Sequence, residues 1–149
     1  MTLTDPTGDP DLLQRMVSTT HDRLDSLLTE AARRTDTPGV TDELGADLVA
    51  EVLGHLNAEA MVLRPEVGNV LGEPERRRLA DESEVLSSLA TTARLTGDFD
   101  LLAGALTDHR QLVDTLLGRL RENADATRMA GLGYEYAHAA EAASHTHLT

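Results

Sequence analysis

Apolar residues return at steps of three and four along four successive stretches of this chain, and that period limits the fold more than any other feature. The first stretch, about Asp11 to Arg34, sets Leu13, Val17, Leu24 and Leu28 on one face and stops before Thr37-Pro38-Gly39. The second, about Asp42 to Arg64, stacks Leu48, Val52 and Val62, and Pro65 is expected to end or kink it. The third opens at Pro74, a favourable first-turn residue, carries Leu79, Leu86, Leu89 and Ala93, and closes at Gly97-Asp98. The fourth, about Phe99 to Glu122, presents Leu102, Leu106, Val113, Leu116 and Leu120. Strand-like alternation never persists. The expected fold is therefore all-α, with the four helices packed as an up-down-up-down antiparallel bundle around one long core. A shorter fifth helix is expected after Asn123, through Met129 and Leu132 towards Ala143, weakened by Gly131 and Gly133. The chain divides accordingly into a flexible start over 1–10, a bundle over 11–122 and a C-terminal extension and tail over 123–149.

Each stripe contains residues that do not belong on an apolar face. His21, the pair His55 and Glu59, Glu82, and His109 occupy positions that their neighbours reserve for Leu or Val. Burying such groups without partners costs several kcal/mol, so they must satisfy one another or a bound ion. His55 and Glu59 are four residues apart, about 40° around a helix and one turn along it, so both can grip one ion. His21, His55 and His109 lie near the middle of their helices, which puts them at similar depth in an antiparallel bundle. Imidazole and carboxylate donors without sulfur suit iron, manganese or zinc, and bridging carboxylates suit paired iron or manganese. The alternative for each residue is plainer: a boundary histidine bonded to a neighbouring acid, or an exposed i,i+4 pair.

Composition narrows the partners. There are 26 acids against 13 bases, a formal charge of −13, and every base is Arg. That acidity opposes binding to nucleic acid or to anionic membranes. The absence of Cys excludes disulfides, thiolate metal sites and cysteine nucleophiles. No signal-like start and no run of roughly eighteen apolar residues is present, so the expected location is the cytoplasm. The triplet Arg76-Arg77-Arg78 reads as a solvated face paired with acids.

The segment His55-Leu-Asn-Ala-Glu59, followed by Leu63-Arg64-Pro65, resembles the second helix of the hemerythrin-like (HHE cation-binding) family. Thr20-His21-Asp22-Arg23-Leu24 is similar to the family's first-helix motif, and Leu102 to His109 resembles the approach to its last histidine. Asp114 follows His109 at the His-x-x-x-x-Asp spacing of hemerythrins proper. The resemblance spans about Asp11 to Glu122 and implies a non-haem di-iron site inside the bundle. It implies that His21 and His55 hold one iron, that Glu59 and Asp114 bridge, and that His109 serves the second iron. The third helix departs from the family's pattern. It contains no His, and Asp81-Glu82-Ser83-Glu84 stands where the family places an acid-His-x-acid run, with Glu82 as the replacement for the first missing His. The expected ligand set is thus His21, His55, Glu59, Glu82, His109 and Asp114, holding one or two ions.

Three functions follow as expectations. The first is a non-haem iron protein that binds, senses or reacts with dioxygen, peroxide or nitric oxide, with manganese or zinc as alternative metals. The second is an oxygen-dependent metalloenzyme of small-molecule metabolism. The third is a metal-free bundle acting as an interaction module, monomeric or homodimeric. Tyr134 or Tyr136 can reach the bundle mouth as a phenolate ligand or proton donor, although nothing in the spacing requires it. His138, His145 and His147 read as a separate tail cluster.

Overall fold

The computed structural model describes residues 8–33 and 40–148, with side chains left out for 40–42 and from 142 onward. The described chain is helical, without strands: α1 (Leu12–Arg33), α2 (Val40–Ala58), a π-helical turn (Glu59–Leu63), α3 (Arg64–Val70), α4 (Glu73–Thr96), α5 (Asp100–Asn123) and α6 (Ala126–Leu148). The breaker Thr37-Pro38-Gly39, most of the flexible start, and the side chains of His145 and His147 lie outside the described residues.

Pro65 does not end the second helix. α2, the π turn and α3 follow one another without a break, and Pro65 falls in the first turn of α3. A proline ring normally collides with the carbonyl four residues earlier and lacks the N–H that would bond to it. The π turn resolves this locally: the Arg64 N–H reaches back to the Glu59 carbonyl, and the wider ring admits the proline. α4 begins with Pro74 in its first turn and ends at Gly97, whose φ of 78° lets its N–H close on the Ala93 carbonyl.

The buried side chains form two apolar clusters rather than one long core. Leu13, Val17, Val62, Leu63, Leu79, Val113, Leu116 and Leu120 belong to the first. Leu24, Leu28, Leu48, Val52, Leu86, Leu102 and Leu106 belong to the second. Along α1 and α4 the chain passes from the first cluster to the second; along α2–α3 and α5 it passes from the second to the first. Contacts join α1 to α2, α2 to α4, α4 to α5 and α5 to α1. No helix among the described residues is long and apolar enough to cross a membrane.

The fifth rod is longer than the glycines suggest. α6 spans 23 residues and packs on α1, α2 and the π turn. Gly133, which weakens the helix by its propensity, is needed for its docking. A Cβ there would stand 2.8 Å from the Leu13 backbone nitrogen and 2.9 Å from Leu12 Cβ. Arg128 of α6 also grips Glu66 of α3 through two hydrogen bonds, of 3.1 and 2.6 Å.

Candidate metal centre

Between the two apolar clusters each helix of the contact circuit contributes a polar side chain at one level, and these side chains meet. His21 of α1 faces His55 of α2, Nε2 to Nε2, at 3.0 Å. One turn after His55, Glu59 opens the π turn and brings Oε2 to 2.7 Å from His55 Nε2. His109 of α5 sets Nε2 at 2.8 Å from both Glu59 oxygens. Its other nitrogen, Nδ1, lies 2.9 Å from Glu82 Oε1 of α4. From α6, the Tyr136 hydroxyl stands 3.0 Å from His55 Nδ1. His21, His55, Glu59, His109 and Tyr136 are buried, whereas Glu82 is only partly so and leads outward.

The electrostatics follow from that arrangement. Burial, reinforced by the neighbouring His55 imidazole, holds the His21 pKa down at about 3, so its ring is neutral near pH 7. Burial opposes the charge on Glu59, but His55 and His109 outweigh it and keep the carboxyl ionised, well below its usual range. For His109, burial again opposes the charge. The carboxylates of Glu59 and Glu82 on its two nitrogens prevail, and its pKa is raised. Burial pushes the Tyr136 phenol up, and the Glu59 charge adds to it, so the hydroxyl stays protonated.

Two ends of the centre therefore differ. At one end each His109 nitrogen faces a carboxylate, which raises its pKa and gives both nitrogens a partner within the protein. At the other, His21, His55 and Glu59 each offer one donor atom, all within 4.8 Å of one another. The donor separations of 3.0 and 2.7 Å are close to the edge of an octahedral shell, about 3.0 Å for metal bonds of about 2.1 Å. Two nitrogens and one anionic oxygen, with no sulfur, match iron, manganese or zinc. Among the described residues the outer nitrogen of His21, Nδ1, is buried without a hydrogen-bond partner, while that of His55 has Tyr136.

Of the six residues expected as ligands, the structure brings His21, His55, Glu59, Glu82 and His109 together. Asp114 is not among them. It lies exposed on α5 and feels Arg110, so the expected bridging carboxylate is not at the centre. The reason is angular: five residues along a regular helix turn the side chain by about 140° from His109. The two tyrosines also part company. Tyr134 is exposed and packs at a 55° tilt against His138, 4.6 Å between ring centres, whereas Tyr136 is in the centre. Tyr136 shares a helical face with Met129, Leu132 and Ala139, all buried, and that spacing was the signal available for it. Arg76 and Arg77 pair with Glu73 of their own helix. Comparison with known proteins gives no match: no family model, no curated protein and no solved structure.

Proposed function

We propose that this chain is a non-haem metal protein of hemerythrin-like type, holding iron between His21, His55 and Glu59, and that the iron binds, senses or reacts with dioxygen, peroxide or nitric oxide. The observation that carries this reading is the convergence of three buried donor atoms from two helices on one point between two apolar clusters. The alternating passage of α1, α2–α3, α4 and α5 between those clusters supports reading them as an antiparallel four-helix bundle, with α6 as an added fifth rod. When bound, iron supplies Lewis acidity and one-electron chemistry towards small oxygen or nitrogen species. The chain itself supplies two imidazole nitrogens, the Glu59 charge that offsets the cation, and apolar layers that keep bulk water away. The acidic surface accords with a cytoplasmic protein, monomeric or homodimeric, that leaves nucleic acid and membranes alone.

A single ion is favoured over a pair. Among the described residues only His21, His55 and Glu59 form a group of three donors within 4.8 Å of one another, while both His109 nitrogens face carboxylates, at 2.8 and 2.9 Å. The dinuclear reading and the metal-free interaction module are outcomes of one experiment. Protein purified without chelator or His tag is analysed for iron, manganese and zinc beside His55→Ala. About one equivalent in the wild type, lost in the variant, is the expected result; two equivalents would establish the pair. Less than about a tenth of an equivalent in both would leave the metal reading without support, given the affinity such buried sites reach.

A further inference from the structure

Beside His21, His55 and Glu59, a buried tyrosine from a different helix reaches the centre. A histidine that gives one ring nitrogen to a metal keeps its proton on the other, and that N–H needs an acceptor which also fixes the ring's orientation. The three imidazoles of the centre are equipped unequally for this. His21 Nδ1 has no partner among the described residues, and His109 spends both nitrogens on carboxylates. Only at His55 does an outer nitrogen face a neutral oxygen, the Tyr136 hydroxyl at 3.0 Å.

With the proton of His55 on Nδ1, that N–H donates to the Tyr136 oxygen at 3.0 Å. His55 Nε2 then keeps its lone pair for the point shared with His21 and Glu59. The placement of Tyr136 depends on Gly133, which stands one turn before it and lets α6 come within contact distance of the α1 backbone.

We infer that Tyr136 is a positioning residue of the metal centre: its hydroxyl oxygen accepts a hydrogen bond from His55 Nδ1–H and holds that ring with Nε2 turned to the ion, making the C-terminal helix part of the site. This inference rests on the proposed metal reading. The phenol is neither a ligand nor a redox partner in it, and acts only through His55.

The test uses Tyr136→Phe, which keeps the buried ring and removes one oxygen. Affinity for Co²⁺ is measured by competition with a chromophoric chelator on the full chain, and the His55 Nδ1–H proton of the Zn²⁺-loaded wild type is observed by NMR. The expected result is a loss of about 10- to 100-fold in affinity for Tyr136→Phe. In the wild type the His55 Nδ1–H should exchange slowly and show a cross-relaxation contact to the Tyr136 ring. Unchanged Co²⁺ affinity in a folded Tyr136→Phe overturns the inference while the metal reading stands. If Tyr136→Phe does not fold, a wild-type His55 Nδ1–H without that contact overturns it instead. No Co²⁺ binding by the wild type refutes the metal reading itself, and the inference falls with it.

Discussion

Gly133→Ala pits two opposed physical effects against each other at one atom. In an exposed helix, replacing Gly with Ala stabilises by about 1 kcal/mol, because glycine loses more backbone freedom on folding. Gly104 and Gly118 of α5 meet that condition: both are exposed, and a Cβ added to either meets nothing within 4 Å. At Gly133 the same methyl would lie 2.8 Å from the Leu13 nitrogen and 2.9 Å from Leu12 Cβ. Ordinary contact begins near 3.4 Å, so α6 must retreat by several tenths of an ångström. The nearest obstacle is backbone in the first turns of α1, which cannot rotate aside as a side-chain tip would. Overpacking of this kind costs about 1–3 kcal/mol. Gly133→Ala is therefore expected to lie about 1–3 kcal/mol below Gly118→Ala in unfolding free energy. The chain has no Trp, so urea unfolding is followed by far-UV circular dichroism on metal-free protein, with the slope against urea unchanged across the set. A Gly133→Ala protein as stable as Gly118→Ala would show that α6 does not dock on α1 as described.

Two other expectations concern the centre. Glu59 is buried and holds both His55 and His109, so Glu59→Gln should remove metal binding. It should also lower metal-free stability by about 3–5 kcal/mol, because it strips a buried imidazolium of one of its two carboxylates; a urea midpoint equal to wild type would contradict this. In chelator-treated protein the His21 ring should stay neutral down to pH 5 by NMR, since its pKa is held near 3. Its folded pKa is depressed, so its contribution to stability is present above the ordinary 6.5 and is lost as pH falls through 3; a midpoint near 6.5 for His21 would refute its burial against His55.

The helices and the misplaced polar residues were legible without the structure because both are local. A 3.6-residue period fixes which face a side chain occupies, so His21, His55, Glu59, Glu82 and His109 declared themselves by sitting among Leu and Val. Asp114 shows the limit of motif spacing. Its distance in sequence from His109 looked right, yet the helical angle turns it to solvent. Pro65 shows another. A proline announces a disturbance, but whether the chain stops or slips into a π turn depends on what the neighbouring helices hold in place.

The sequence by itself determined the all-helical class, the approximate helix spans and the set of titratable residues on apolar faces. Only the tertiary structure decided which of those residues touch. Periodicity gives an angle around each helix axis and says nothing of how far one helix slides along another. That axial register is set by packing, here by two apolar clusters that leave a polar layer between them and by a glycine that lets α6 approach α1. The same register brought Tyr136 from the end of the chain to His55, and split six expected ligands into three convergent donors, one bridged imidazolium with its outer carboxylate, and one exposed acid.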